Sequence, residues 1–190
     1  MAYYTDLELT NLGFRTLGSN VRISKNASLY NCERISIGNN VRIDDFCVLS
    51  AGHGGVEIGD NIHIAVYSSL IGAGKITISD YANISSKVAI YSSNDDYSGE
   101  FMTNPTINEE FTNVSHADVF IGKHVIIGCG SVVLPGVTIG EGAAIGSLSL
   151  VSKDCKPFFI YAGTPVRPLK ERKKNILLLE DRFNSQKNEL

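Results

Sequence analysis

An aliphatic residue recurs at every sixth position along most of this 190-residue chain, and this repeat restricts the possible folds more than any other feature. Glycine often follows the aliphatic residue, and the fifth position of each hexad is often small or β-branched. The repeated positions are Leu17, Ile23, Leu29, Ile37, Ile43, Leu49, Ile58, Ile64, Leu70, Ile78, Ile84, Ile90, Ile121, Ile127, Val133, Ile139, Ile145 and Val151.

The steps between these positions carry a second, longer period. In the first coils two steps of six residues precede one of eight or nine, so that three hexads form one coil and the chain holds about six coils. A period of six fits neither an amphipathic helix, which repeats every 3.6 residues, nor the strict alternation of longer antiparallel strands. It predicts an all-β solenoid of very short parallel strands, stacked about 4.8 Å apart with the aliphatic residues inside.

Composition narrows the class of protein further. With 43% apolar and 19% charged residues the chain is not intrinsically disordered. A net charge of −3 argues against a general nucleic-acid binder. No apolar run is long enough for a membrane span, and the first residues lack the features of a signal peptide. The four cysteines lack metal-site spacing, which predicts reduced thiols, no metal and a cytoplasmic protein.

Four hexads carry a specific motif: IGNNVR at Ile37, IGDNIH at Ile58, IGKHVI at Ile121 and IGEGAA at Ile139. With them the chain resembles the hexapeptide-repeat acyltransferases over roughly residues 15–170. The resemblance implies a left-handed parallel β-helix; the left hand does not follow from the spacing.

Three regions are predicted along the chain. Residues 1–16 form an N-terminal helical cap, with Thr5 and Glu8 spaced as a capping box. Residues 17–155 form the β-helix, interrupted by an inserted loop at 91–120 whose aromatic residues favour an ordered, packed loop. Residues 156–190 form a C-terminal extension, with a helix from Pro168 to about Phe183.

Residues 127–170 are similar to the C-terminal half of the sugar O-acetyltransferases of this family, the galactoside and maltose acetyltransferase type. The shared positions include Pro135, Gly136, Ser152, Lys153, Asp154, Gly163, Pro165, Arg167 and Lys170. The similarity implies acetyl-CoA as acyl donor. Its groove would be lined by Cys129, Ser147, Ser152 and Lys153, and its phosphates would be bound by Arg167 and Lys170.

A cluster of basic residues supports phosphate binding independently of the resemblance. Five basic residues fall within positions 167–174 of an otherwise acidic chain. Arginine and lysine suit phosphate groups, although the same cluster is also typical of a solvated helix face.

A different residue stands at the position of the family's catalytic base. In the family's sugar O-acetyltransferases a histidine closes the hexad that starts at the position of Ile90; here that position holds Asp95. Of the four histidines, His53 lies in a glycine-rich corner, and His63 and His124 are predicted to point outward at the surface. His116 closes the inserted loop, so we predict His116 as the general base, with Asp95 orienting it.

The start of the inserted loop is predicted to bind the acceptor. Tyr91, Ser93, Asn94, Asp96 and Tyr97 offer the aromatic faces and polar groups that suit a sugar. An alternative for Asp95 and Asp96 is a purely structural role in Asx turns.

These features predict an acetyl-CoA-dependent transferase that acetylates a sugar hydroxyl in surface polysaccharide biosynthesis. The acceptor would be a sugar, a nucleotide sugar or a glycolipid. One alternative is an amino-sugar or xenobiotic N-acetyltransferase, and another is a non-catalytic β-helix that serves as a binding scaffold. The resemblance also implies a homotrimer with active sites between subunits.

Overall fold

A computed structural model describes residues 2–187. The strands in chain order are β1 (Thr16–Leu17), β2 (Arg22–Ile23), β3 (Ser28–Tyr30), β4 (Ile35–Ile37), β5 (Arg42–Ile43), β6 (Val48–Ala51), β7 (Val56–Ile58), β8 (His63–Ile64), β9 (Ser69–Gly72), β10 (Ile76–Ile78), β11 (Asn83–Ile84), β12 (Ala89–Tyr91), β13 (Ser93–Asn94), β14 (Ser115–His116), β15 (Val119–Ile121), β16 (Ile126–Ile127), β17 (Val132–Val133), β18 (Thr138–Ile139), β19 (Ala144–Ile145), β20 (Leu150–Val151), β21 (Phe159–Ala162) and β22 (Arg167–Glu171). The helices are α1 (Asp6–Asn11) and α2 (Asn175–Lys187), with 3₁₀ turns at Cys32–Arg34 and Glu109–Phe111.

Three parallel sheets form the faces of a prism. The first face has the order β1-β4-β7-β10-β15-β18, and the third has the order β3-β6-β9-β12-β17-β20. The second face runs β2-β5-β8-β11-β16-β19-β21 and ends with the antiparallel strand β22. The predicted left-handed β-helix is thus confirmed, with about seven turns rather than six.

The core consists of ladders of the predicted aliphatic residues. On the first face Ile37, Ile58, Ile78, Ile121 and Ile139 stand in register on neighbouring strands. All but two of the predicted positions are buried; Leu17 and Leu29, in the first coil, are half-buried. Because burying one such side chain contributes roughly 1.5–3 kcal/mol, the ladders are the main source of stability.

Asparagines occupy one corner of the prism where the backbone is left-handed. Asn20, Asn40 and Asn61 have φ of 53°, 55° and 57°, a conformation that asparagine tolerates better than most residues. The Nδ2 of Asn20 donates to Oδ1 of Asn40 at 2.9 Å, and Asn40 donates in the same way to Asn61 at 3.3 Å. Tyr81 and His124 continue the same corner with φ of 60° and 58°.

Helix α1 covers the first coil. Its capping box forms as predicted: Thr5 Oγ1 accepts from the Glu8 N–H at 3.3 Å, and Glu8 accepts from the Thr5 N–H at 2.8 Å. Leu9 is buried against the first coil, which shields apolar ladders that would otherwise end in solvent.

The prediction of a helix starting at Pro168 is wrong in its first part. Residues 167–171 form β22, which pairs with β21 and turns back through the segment around Thr164. A proline is tolerated here because β22 is an edge strand, where the missing N–H breaks no ladder. Leu169 therefore lies exposed on a strand and does not belong to the apolar face of the helix.

Helix α2 packs on the corner that Tyr81 and His124 occupy. The Tyr81 hydroxyl donates to Asn184 Oδ1 at 2.8 Å, and the Tyr81 ring stacks on His124 and meets Phe183 edge-on. Glu180 accepts from Lys123 Nζ at 2.6 Å and lies 2.7 Å from His124 Nε2. Neither helix in residues 2–187 is long and apolar enough to cross a membrane.

Candidate active site

The inserted loop leaves the third face after β12 and rejoins the prism at β15. A short antiparallel pair, β13 and β14, closes its base by placing Ser93 opposite His116 and Asn94 opposite Ser115. The loop contains β13, β14 and the 3₁₀ turn Glu109–Phe111, but three of its aromatic side chains are exposed in the single chain: Tyr97 by 86%, Phe101 by 42% and Phe111 by 53%. The predicted packing of these aromatics is therefore not found within one chain.

His116 is held by a chain of hydrogen bonds from the third face. Its Nδ1 lies 2.8 Å from Ser93 Oγ, and Ser93 Oγ accepts from the Ala73 N–H at 2.7 Å. The adjacent Gly72 has φ of +144°, and a Cβ there would lie 2.3 Å from Ser92 Oγ. Only glycine allows this close approach, so the strand end that supports Ser93 depends on it.

Two cavities meet at Asp95. The smaller, of about 420 Å³, is lined by residues of the loop and by Val132 and Leu134 around β17. The larger, of about 730 Å³, lies under the loop and includes His116. Asp95 lines both cavities, is exposed, and has no hydrogen-bond partner among residues 2–187. The two residues predicted to be catalytic thus line one cavity; their chemical roles stay predictions.

Four of the five predicted acceptor residues lie together. Tyr91, Ser93, Asn94 and Tyr97 line the smaller cavity with Asp95. Asp96 does not line either cavity: it accepts from the Ser98 N–H at 2.8 Å and from Asn113 at 3.2 Å. Hydrogen bonds from Ser98 lower the pKa of Asp96. The prediction that Asp96 binds the acceptor is therefore not supported by its position, since this carboxylate forms the Asx turn.

The residues predicted to bind the acyl donor are all exposed and lie on the last coils, outside these two cavities. They are Cys129, Ser147, Ser152, Lys153, Arg167 and Lys170. Cys129 and Ser147 lie at stacked corners, where the Leu148 N–H donates to the Cys129 carbonyl at 2.8 Å. The third face connects this region to the smaller cavity, because β17 pairs with both β12 and β20.

One member of the basic cluster has a structural role. Arg172 donates through Nη1 to the carbonyl oxygens of His124 and Gly142, each at 3.0 Å. Burial lowers the pKa of Arg172, as expected for a guanidinium partly removed from water. Arg172 therefore fastens the C-terminal segment to the prism through Nη1.

The three remaining histidines lie outside the two cavities, and not all of them lie at the surface. His53 is exposed, and His63 Nε2 lies 2.8 Å from Asp44. His124 is only 5% exposed, so the prediction of a surface position is wrong. Its side chain does point out of the prism, but helix α2 covers it.

The cysteines match the prediction of free thiols. All four are unpaired, and three of them are buried. Burial raises the pKa of Cys47 and of Cys155 to about 11, which keeps both thiols protonated and unreactive. Cys129 is the exposed thiol.

The β-helix, the inserted loop and the exposed last coils define a class of transferase. A model of the bacterial transferase hexapeptide, six repeats long, matches residues 118–153. Together with the relatives that follow, this places the chain in the hexapeptide-repeat acyltransferase family.

Two of the relatives span nearly the whole chain. It is 61% identical over 183 residues to the dTDP-4-amino-4,6-dideoxy-D-glucose acyltransferase of Escherichia coli, covering 96% of this chain and 95% of that protein. AntD, an N-acyltransferase from Bacillus cereus solved with dTDP and 3-hydroxybutyryl-CoA, aligns with a TM-score of 0.95 and 47% identity, over 99% of this chain and 100% of AntD. The galactoside O-acetyltransferase of Escherichia coli K12 is more distant, with 28% identity over 149 residues, 78% of this chain and 70% of that protein.

Sequence reasoning missed Ser93 as the partner of His116, and it missed the cavity walls formed by Val132 and Leu134. No local motif marks Ser93, because its bond to His116 depends on the register across a loop of more than twenty residues.

Proposed function

We propose that this protein transfers an acyl group from acyl-CoA to the 4-amino group of a dTDP-linked 4-amino-4,6-dideoxy sugar. The observation that carries the proposal is the 61% identity to the Escherichia coli acyltransferase over 96% of this chain. An alignment of that length includes most of the loop at 91–120, the segment that lines the two cavities. The amino-sugar alternative is thus better supported than transfer to a hydroxyl.

The chemistry at Asp95 supports an amine acceptor. A hydroxyl needs a base that removes its proton as it attacks, and histidine is the usual choice. A primary amine is a stronger nucleophile, and in its ammonium form it pairs with a carboxylate. Asp95 stands where the family's sugar O-acetyltransferases place their histidine, and its carboxylate is open to both cavities. We assign Asp95 to hold the amine and accept its proton.

The smaller cavity suits the sugar ring. Tyr91 and Tyr97 supply aromatic faces and hydroxyl groups, and Asn94 supplies an amide. Such mixed walls match the alternating apolar and polar surface of a deoxy sugar. The larger cavity, lined by Asn104, Thr112 and Asn113 among others, has room for the dTDP part of the acceptor.

The acyl donor is assigned to the last coils. Cys129, Ser147, Ser152 and Lys153 lie exposed. Next to Cys129 a Cβ on Gly128 would lie 2.5 Å from the Ser147 nitrogen, so two successive coils approach closely there. Arg167 on β22, with Lys170 on the same strand, is exposed and available for the phosphates of CoA. Acyl-CoA is a substrate in this scheme, and the AntD complex with 3-hydroxybutyryl-CoA supports it.

The assembly and context are part of the same proposal. Exposed Phe101, Met102 and Phe111 on the loop favour burial against a second copy, and a homotrimer with sites between subunits satisfies this. Acylated nucleotide sugars fit the biosynthesis of surface polysaccharide, in the cytoplasm where nucleotide sugars and acyl-CoA occur together.

A matched pair of acceptors tests the proposal. The protein is incubated with acetyl-CoA and either dTDP-4-amino-4,6-dideoxyglucose or dTDP-6-deoxyglucose, which carries a hydroxyl at the same carbon. Release of CoA thiol is expected with the amino sugar and not with the hydroxyl sugar. Equal release with both, or release with the hydroxyl sugar alone, would contradict the proposal in favour of O-acetylation. Release with neither would favour a scaffold role or a different acceptor.

A further inference from the structure

We propose that His116 acts as a hydrogen-bond donor to the carbonyl oxygen of the acyl thioester, with Ser93 as the residue that positions it. This inference rests on the proposed function and assigns His116 a role other than that of base. It follows from the partners of Ser93, from the shared face of His116 and Asp95, and from the charges that line the cavities.

The Ser93 hydroxyl fixes which nitrogen of His116 carries the proton. Ser93 Oγ already accepts from the Ala73 N–H at 2.7 Å. If Ser93 donates its one hydrogen to His116 Nδ1, 2.8 Å away, both atoms are satisfied and the proton of the ring lies on Nε2. In the opposite arrangement the hydroxyl hydrogen would have only water as its acceptor, since the described residues offer no other. We therefore assign Nδ1 as the acceptor, which leaves Nε2–H to face a ligand.

An imidazole in this form is a donor and not a base. Its basic nitrogen is occupied by the Ser93 hydroxyl, and its other nitrogen already carries a proton. A neutral histidine that polarises a carbonyl is an established catalytic arrangement. The general-base role predicted for His116 from the sequence requires the other tautomer.

The support beneath His116 is rigid. The Ser92 hydroxyl is buried and donates to the Gly74 carbonyl at 2.7 Å. The Ala117 N–H, next to His116, donates to the Ser92 carbonyl at 3.1 Å. Strands β13 and β14 are thus both fixed next to the end of β9. A donor aimed at a developing charge needs preorganised support of this kind.

His116 and Asp95 lie on the same face of the hairpin. Ser93 pairs with His116 and Asn94 with Ser115, and extending this register by one residue makes Asp95 a diagonal neighbour of His116; both residues line the larger cavity. Such neighbours stand about 7–8 Å apart at Cα. An amine on Asp95 and a carbonyl oxygen on His116, each at a hydrogen bond of about 2.8 Å, fit between them with the reacting atoms about 3 Å apart.

The amine attacks in its neutral form, because an ammonium nitrogen has no lone pair; the extra proton of the ammonium form leaves to solvent before the attack. The amine nitrogen forms its bond to the thioester carbon, and the carbonyl oxygen gains negative charge, which His116 Nε2–H stabilises. The nitrogen gives its proton to Asp95. As the C=O bond is restored, the C–S bond breaks, and the thiolate of CoA takes up that proton from Asp95.

The charges that line the cavities leave the Asp95 carboxylate available to the amine. The residues that line the two cavities include the carboxylates Asp95 and Glu109 but no lysine or arginine. A lysine beside Asp95 would compete with the amine for that carboxylate, whereas an imidazole N–H stabilises the oxygen without doing so.

Replacing His116 separates a donor from a base. The amide nitrogen of glutamine can take the place of Nε2–H, but glutamine cannot accept a proton at neutral pH. We expect His116→Ala to lower kcat for the amino sugar by about 10²–10³-fold, the usual loss for one such donor. His116→Gln should stay within about tenfold of the native enzyme. The exposed His53→Ala serves as control and should leave kcat unchanged.

Ser93 is tested as a positioning residue. Ser93→Ala should lower kcat while leaving the KM for acetyl-CoA unchanged, and Ser93→Thr, which keeps the hydroxyl, should restore most of the rate.

Equal kcat in His116→Gln and His116→Ala, both far below the native value, would overturn the donor role and return His116 to the role of base. Native kcat in both His116 variants would remove His116 from catalysis.

A second readout does not depend on activity. Long-range proton–nitrogen NMR of ¹⁵N-histidine protein reports the tautomer of each ring, and the His116→Ala spectrum assigns the signal of His116. We expect the Nε2–H form in the native protein and a mixture in Ser93→Ala. A native signal from the Nδ1–H form would overturn the inference even if the amino sugar proves not to be the substrate. Conversely, an Nε2–H signal in a protein without activity on this sugar would contradict only the proposed acceptor.

Discussion

Asp95 and Asp96 are adjacent aspartates with different surroundings, and the same substitution at each tests the assignment of the amine site. Asp95→Asn removes the charge and keeps the shape. Because Asp95 is exposed and has no hydrogen-bond partner among residues 2–187, this change should alter the free energy of unfolding by no more than about 0.5 kcal/mol. Any loss of activity in Asp95→Asn is then a loss at the site and not of the fold.

The expected size of that loss follows from the role of Asp95. An asparagine neither pairs with an ammonium group nor accepts its proton, so kcat should fall by about 10²–10⁴-fold. At about 1.4 kcal/mol per tenfold change, this corresponds to roughly 3–5.5 kcal/mol of transition-state stabilisation. The KM for the amino sugar should rise more modestly, because a single exposed ion pair contributes only about 1 kcal/mol.

Asp96→Asn is the matched control. Asp96 accepts from Ser98 and Asn113 within the loop and lines neither cavity, so its replacement should cost some loop stability but little rate. The assay is the initial rate of CoA thiol release with dTDP-4-amino-4,6-dideoxyglucose, alongside thermal unfolding of each variant. A rate for Asp95→Asn within about threefold of the native value, or an equal loss in Asp96→Asn, would refute the reasoning, because either would amount to less than about 1 kcal/mol of specific effect at Asp95.

Three further predictions concern the rest of the molecule. Arg167→Ala should raise the KM for acetyl-CoA about tenfold or more with kcat nearly unchanged, because a lost charge-assisted hydrogen bond costs roughly 1.5–3 kcal/mol; an unchanged KM would remove Arg167 from the donor site. Glu180→Gln should loosen α2 by about 1.5–3 kcal/mol, measured by hydrogen exchange of its amides. Burial opposes ionisation of Glu180, but hydrogen bonds from Lys123 and His124 outweigh burial and leave the pKa of Glu180 lowered. The stabilisation by Glu180 is therefore present at neutral pH and lost as the pH falls through that lowered pKa. A difference in exchange between native and variant that persists in acid would contradict this role of Glu180. Light scattering at micromolar concentration should give the mass of three chains, and a stable monomer would argue against sites between subunits.

The fold followed from the sequence because its signal is repeated. Each hexad places one aliphatic residue inside, and sixteen of the eighteen predicted positions are buried in the structure. The capping box at Thr5 and Glu8 was equally local and formed as predicted. The wrong assignments needed information from distant parts of the chain. β22 forms because the second face ends in an open edge, and His124 is buried because α2 returns to cover it.

The sequence predicted two residues that the structure brings to one cavity, Asp95 and His116, but it did not predict the hydrogen bonds of the loop that carries them. Register placed Asp95 at the position of the family's histidine, and the break in the repeat marked the loop that carries His116. The pairing of Ser93 with His116 depends on where the two ends of that loop meet, and the Asx turn at Asp96 depends on Ser98 and Asn113. Neither arrangement leaves a pattern in the sequence that distinguishes a turn carboxylate from one that faces a cavity.

The central claim is that this chain forms an amide bond on a dTDP-linked amino sugar, and the bond itself can be observed. Acetyl-CoA labelled with ¹³C at the carbonyl is incubated with the protein and with dTDP-4-amino-4,6-dideoxyglucose labelled with ¹⁵N at the amino group. We expect a product carbonyl signal that is split by one-bond coupling to nitrogen, and an acetyl group that hydroxylamine does not remove. A product whose carbonyl shows no coupling to nitrogen, and whose acetyl group hydroxylamine removes, would be an ester and would contradict transfer to the amine.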